Sequence, residues 1–85
     1  MKNIITMCLS AKSQTHARTL INVRDLTSII DEPLARDGTN QGLTPTETVL
    51  SSLMGCTNVV GHRLADLMGV KFENMNIDLS CQTGS

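Results

Sequence analysis

The side chains of this chain best suited to chemistry are three cysteines, Cys8, Cys56 and Cys81, two histidines, His16 and His62, and the glutamate Glu47. A cysteine acts as a nucleophile only as the thiolate, and apolar burial works against that form. Cys56 falls in the middle of a long apolar stretch, beyond the first turn in which a helix dipole favours an anion. A reactive Cys56 therefore requires a cation brought from elsewhere, and a carboxylate to hold that cation. Arg18, Arg24 and Arg36 precede the stretch and Glu47 lies near its start. Arg63 is two turns beyond Cys56, about 10 Å along a helix axis, too far for a direct partner. The plain alternative is that Cys56 is a small core residue, since free cysteine is among the most buried types. Metal binding has little support, because none of the cysteines and histidines fall in a C-x-x-C or H-x-x-x-H spacing. His16 and His62 read as surface or hydrogen-bonded core residues. The glycines at 38 and 42 lack the order of a phosphate-binding loop.

The element that must carry Cys56 is Leu43 to Gly69, which reads as one long helix. Thr44 is a good N-cap, Pro45 suits the first helical position, and Glu47 completes a capping box with Thr44. Glu47 thus has a capping role and a candidate catalytic role, and the two are compatible. Gly69 supplies the C-terminal stop. Val49, Leu53, Cys56, Val60, Leu64 and Leu67 recur at spacings of three and four, which makes one helical face. No charged residue occurs between Thr48 and Gly61, so the helix is expected to be buried nearly all round. Ser51, Ser52, Gly55 and Gly61 would let another backbone approach closely.

Before the helix, Ile4 to Ala11 reads as a first strand and Ser10 to Thr15 as a turn. Ala17 to Val23 alternates as a second strand, Arg24-Asp25 is a candidate turn, and Leu26 to Ile30 gives a third, so Thr15 to Ile30 reads as a hairpin or one long bent strand. Asp31-Glu32-Pro33 ends it, because proline cannot donate to a ladder. Asp37-Gly38 and Asn40-Gln41-Gly42 are turn signals in a loop. After the helix, Met75, Ile77, Leu79 and Cys81 alternate with Asn76, Asp78 and Ser80, which predicts a fourth strand. The expected order is β-β-β-α-β, an α+β arrangement within a single domain, 1–85. Three or four strands cover only one side of such a helix, so either further residues beyond Ser85 or a second chain must cover the other.

Composition narrows the partners. The chain has 85 residues and a formal net charge of -1, which gives no electrostatic case for nucleic acid or an anionic membrane. Phe72 is the sole aromatic residue, so the stacking platforms of single-strand binders are missing. A core of Leu, Ile, Val and Met in so short a chain is marginal alone, which again points to a partner. No run is long enough to span a bilayer, and the N-terminal stretch lacks the length and cleavage site of a secretory signal. An odd number of widely spaced cysteines is no disulfide framework and fits a reducing cytoplasm.

The ordered set Asp31-Glu32-Pro33, Gly38 to Glu47, and Leu53-Met54-Gly55-Cys56-Thr57 resembles the osmotically induced protein C / organic hydroperoxide resistance (OsmC/Ohr) family. The shared pattern is an Asp-Glu-Pro strand end, a Gly-rich loop, a Pro-x-Glu helix start and a Gly-Cys-Thr with its cysteine eleven residues after the proline. Ala65, Gly69 and the strand at 75–80 also fall in place, and the match covers about residues 17–80. The resemblance implies an OsmC-like α+β fold in an intertwined homodimer, with two central helices back to back between sheets. It implies that Cys56 attacks a hydroperoxide to give a sulfenic acid. It further implies that an arginine lowers the thiol pKa, that Glu47 near the helix start orients that arginine, and that a dithiol reductant restores the enzyme. Arg18 and Arg24 are both candidates for the arginine. Peroxidatic members carry glutamate directly after the proline, where this chain has Thr46. Family members are longer, and their resolving cysteine lies on a second long helix that nothing here matches, so the domain is expected to be incomplete at its C-terminus. The expected activity is reduction of organic hydroperoxides or hydrogen peroxide in a stress or detoxification role, with no cofactor and no metal. The alternative is a non-enzymatic OsmC-like dimer, a stress or small-molecule-binding protein in which Cys56 only packs.

Overall fold

The computed structural model describes residues 4–71 and 73–82. It contains three antiparallel strands and one long helix: β1 (Leu9–Ser13), β2 (Thr19–Val23), β3 (Leu26–Ile30) and α1 (Pro45–Leu67). A short 3-10 turn, Leu34–Arg36, lies between β3 and α1. The chain divides into two compact units, one up to Thr48 and one from Val49.

In the first unit the strands are ordered β1-β2-β3. Leu9 pairs with Val23 and Ser13 with Thr19; Val23 also pairs with Leu26, and Thr19 with Ile30. This register puts Leu9, Ala11, Ile21, Val23, Leu26 and Ile30 on one face, because alternate residues share a side. Asn22 and Thr27 are partners on the other face, where the Thr27 hydroxyl donates to Asn22 Oδ1 at 3.0 Å. The β2–β3 connection is the expected two-residue turn, with Arg24 in the left-handed region at φ 54. β3 ends at Ile30, directly before Asp31-Glu32-Pro33. The first strand differs from expectation: it runs from Leu9 to Ser13, not from Ile4 to Ala11. The cause is the length of its partner. β2 stops at Val23 before its turn, so residues 4–8 have nothing to pair with.

The helix begins as its sequence dictates. The Thr44 N–H donates to Glu47 Oε1 at 3.0 Å, and the Glu47 N–H donates to Thr44 Oγ1 at 3.1 Å. Both halves of the capping box are made; such a cap is worth about 1 kcal/mol. The far end closes as a Schellman motif: Gly69 has φ 72, its N–H donates to Asp66 O, and the Val70 N–H donates to Ala65 O.

Two expectations about the second unit do not hold. The helix is not buried all round: none of its described residues is buried, and Val49, Leu53, Val60, Leu64 and Leu67 are all exposed. The charge-free run carries an apolar stripe, but nothing among the described residues encloses it. Nor is Met75 to Cys81 a strand, since a strand exists only where a ladder partner does and this unit supplies none. Its alternation survives in part, with Met75 and Ile77 half-buried and Asn76 and Asp78 exposed. Met75 lies against Gly61, where an added Cβ would meet the Met75 methyl. Phe72 lies outside the described residues.

Among the described residues no apolar side chain is buried, and the one buried residue is Asp31. No helix among them is long and apolar enough to cross a membrane. The loop around Asp31 is tight enough to demand glycine: a Cβ on Gly38 would overlap the Glu32 carbonyl, and one on Gly42 the Ile29 carbonyl. Both obstacles are backbone and cannot swing away. Gly38→Ala is therefore expected to cost about 1–3 kcal/mol of unfolding free energy. Urea unfolding against the parent chain measures it, and an unchanged midpoint would contradict the packing.

Candidate functional site

Asp31 lies just past the end of β3, where the chain leaves the sheet. Its own N–H donates to Leu43 O at 2.9 Å, and Ile30 and Leu43 form a parallel bridge. The two ends of the 31–43 loop are thereby brought together. The carboxylate then fills the interior of the loop. Oδ1 accepts the Glu32 N–H at 2.7 Å. Oδ2 accepts the Thr39 N–H at 3.2 Å, the Gln41 N–H at 3.1 Å, and the Thr39 hydroxyl. Further backbone bonds tighten the same loop: Gly38 N–H to Pro33 O at 3.0 Å and Asn40 N–H to Glu32 O at 3.0 Å. Asp37 and Asn40 take left-handed φ values of 64 and 54, which these two residue types tolerate better than most.

These bonds decide the ionisation of Asp31. The Thr39 hydroxyl is the largest influence and favours the carboxylate; burial opposes it; the N–H groups of Glu32, Gln41 and Thr39 add to the hydroxyl. The net effect lowers the pKa from 3.8 to about 2. Donors aimed at a buried carboxylate outweigh the loss of solvent.

Arg18 is tied to this loop. Its Nη1 donates to Thr39 Oγ1 at 2.8 Å and its Nε to Gln14 Oε1 at 2.9 Å. The segment before β2 is wound around the same residue: Thr15 Oγ1 accepts the Arg18 N–H at 2.8 Å, and Arg18 O accepts the Gln14 N–H at 2.9 Å. Arg24 is at the opposite end of β2, about 20 Å away at the rise of an extended strand. Of the two candidate arginines, the 31–43 loop holds Arg18.

Glu47 is placed as its sequence suggests, in the helix cap. Among the described residues it forms no ion pair with an arginine; the salt bridge found there joins Arg36 and Glu32 at 3.8 Å. Cys56 lies on α1 and is exposed, where burial in a core was one expectation. Cys8 and Cys81 are also exposed and unpaired. His62 Nδ1 is 2.9 Å from Asn58 O, a local bond that fits the plain reading of this histidine. His16 borders an open cavity of about 610 Å³ together with Glu32, Arg36 and Asp37. Among the described residues no group of three or more His, Cys, Asp or Glu side chains is placed to hold a metal.

The sequence reading passed over Asp31 as a strand terminator and did not single out Thr39. The available signal was an aspartate followed by a loop with two left-handed turns, whose inward N–H groups need an acceptor. The chain matches no protein-family model, no curated protein and no solved structure at a significant level.

Because the folded pKa of Asp31 lies below its unfolded value, its contribution to stability is complete above about pH 4 and is lost as pH falls toward about 2. Asp31→Asn, which places an amide donor among donors, is expected to be less stable than the parent at pH 7. The gap should close as pH falls from 4 to 2. Urea midpoints across pH measure this, and a gap independent of pH would contradict it.

Proposed function

We propose that this chain acts as a thiol-dependent hydroperoxide reductase of the OsmC/Ohr kind, with Cys56 as its nucleophile. The observation that carries the reading is the exposure of Cys56 on α1, since a nucleophile has to meet its substrate. The sequence pattern around it, with the Pro45 helix start and Gly55-Cys56-Thr57, supplies the chemical expectation. The Cys56 thiolate attacks one oxygen of the hydroperoxide. An S–O bond forms as the O–O bond breaks, and the alkoxide leaves as the alcohol after taking a proton. Cys56 is then a sulfenic acid, oxidised by two electrons. A dithiol supplies the return: its first thiol displaces water to give a mixed disulfide, and its second releases Cys56 and closes its own disulfide. An exposed stripe of Val49, Leu53, Val60 and Leu64 beside this cysteine suits an organic hydroperoxide with an apolar tail.

The resemblance sets an arginine, Arg18 or Arg24, against the thiolate, and Glu47, at the start of α1, is the carboxylate it sets against that arginine. The uncovered stripe also motivates an intertwined homodimer, in which a second copy covers α1. Each half-exposed Val or Leu so covered would contribute about 1 kcal/mol. Three free thiols and a net charge of -1 fit a reducing cytoplasm and no nucleic-acid partner.

One observation favours a second reading. Cys56 shares its helix face with the stripe, and packing of that face against a partner chain would enclose the thiol. The protein would then be a dimeric binding or stress protein with an inert Cys56. Reaction of the reduced chain with cumene hydroperoxide, followed by intact mass and a sulfenic-acid trap, separates the two. Oxidation about a hundredfold faster than a free thiol, abolished in Cys56→Ser, is the expected result; that is the scale of one well-placed electrostatic donor. Oxidation at the rate of a control thiol would leave the binding reading in its place.

A further inference from the structure

We infer that the open cavity between the start of β2 and the 31–43 loop is a binding site for a small α-amino acid, held by Glu32 and Arg36. The cavity measures about 610 Å³ and is bordered by His16, Thr19, Glu32, Arg36, Asp37 and Pro45. That is ample for one small zwitterion, and all of these residues belong to the unit up to Thr48. The Glu32 carboxylate is what points to a ligand. Its Oε1 is shielded from solvent and accepts no hydrogen bond among the described residues. Arg36 Nη1 stands 3.8 Å from it, beyond hydrogen-bond reach. A carboxylate oxygen kept from water and left without a donor is costly. The terminal torsion of a glutamate is broad enough to turn that oxygen toward a donor entering the cavity. Arg36 is equally underused: its side chain is 68% exposed, and so loose an ion pair contributes little. The backbone beneath them is fixed, with the Arg36 N–H donating to Pro33 O at 2.9 Å and the Asp37 N–H to Leu34 O at 3.2 Å.

The signs of the charges select the ligand. Glu32 and Asp37 offer carboxylates, Arg36 a guanidinium, and His16 completes the rim. A lone anion entering here meets two carboxylates, and a lone cation meets Arg36. A molecule carrying both charges side by side avoids both penalties. In an α-amino acid the ammonium nitrogen and the nearer carboxylate oxygen are about 3 Å apart by bond lengths. That spacing suits a carboxylate and a guanidinium 3.8 Å apart. The ligand ammonium donates to Glu32, with Asp37 adding attraction, and the ligand carboxylate accepts from the Arg36 fork. The rest of the cavity takes the ligand side chain. None of this depends on the role of Cys56.

The test is titration of the nitrogen-15-labelled full chain, at constant pH and ionic strength, with L-alanine, L-glutamine and L-phenylalanine. Amide shifts at Thr19, Arg36 and Asp37 report occupancy. Saturable shifts are expected with at least one of the three. The matching amino-acid amide lacks the carboxylate, and the N-acetyl form lacks the ammonium. Both are expected to bind about tenfold to a hundredfold more weakly, as is the amino acid to Glu32→Gln or Arg36→Gln. The Glu32 side chain has no hydrogen bond for the amide to lose, and the β2–β3 amides in the same spectra report folding. No saturable shift at these residues with any of the three, up to tens of millimolar, would overturn the inference. So would an amide or N-acetyl form that binds as well as its parent. Should the variants fail to fold, comparison of those forms on the parent chain decides alone.

Discussion

The local order of this chain depends on one buried carboxylate. Asp31 receives three backbone N–H groups and one hydroxyl, all from residues within ten positions of it. A loop of that length has inward-facing N–H groups that no sheet or helix satisfies, and each would be costly if left unpaired. One aspartate satisfies several at once. The loop is thus closed from inside, by polar bonds, in a chain whose described residues bury no apolar side chain. It delivers the chain from the end of β3 to the Thr44 cap, and so determines where α1 begins. It also presents the Thr39 hydroxyl to Arg18. Sheet, helix start and candidate cation therefore share a single anchor.

The apolar side of the account is complementary. The α1 stripe has the spacing of a core face and the exposure of a surface. Hydrophobic burial supplies most of the stabilisation of ordinary domains, and here the described residues leave it unrealised. A helix with a complete cap at one end and a Schellman closure at the other is well bounded by local bonds, but local bonds contribute only a kilocalorie or so each. The stripe is what a second copy would cover, and the proposed dimer rests on that imbalance. Cys56 belongs to the same face, which is why its accessibility and the quaternary state are linked questions.

Local rules were the legible part. The Thr44–Glu47 capping box, the two-residue turn at Arg24-Asp25, the β3 span and the Gly69 stop all depend on neighbours a few residues apart, and the structure has each of them. Non-local facts were not legible. The alternation of Met75 to Ser80 specifies which side chains share a face, but not whether a partner strand exists. The first strand was read too early because composition at 4–8 suits a strand while the length of β2 limits the ladder. The charge-free run from Thr48 to Gly61 marks an apolar face, and sequence could not say that no described residue encloses it. Asp31 was visible only as a strand end, since its role depends on Thr39 and Gln41 folding back over it. For the candidate site, Cys56 and Glu47 were named from pattern alone, while the bond that ties Arg18 to Thr39 was visible only once the loop had folded.

The most direct measurement is amide hydrogen exchange, residue by residue, in the 31–43 loop. The Asp31 anchor predicts that the Thr39 and Gln41 amides are protected well beyond free-peptide rates, though both residues are exposed, and that protection fades as Asp31 is protonated at low pH. Exchange of those two amides at free-peptide rates at neutral pH, with the β2–β3 ladder still protected, would contradict the account at its centre.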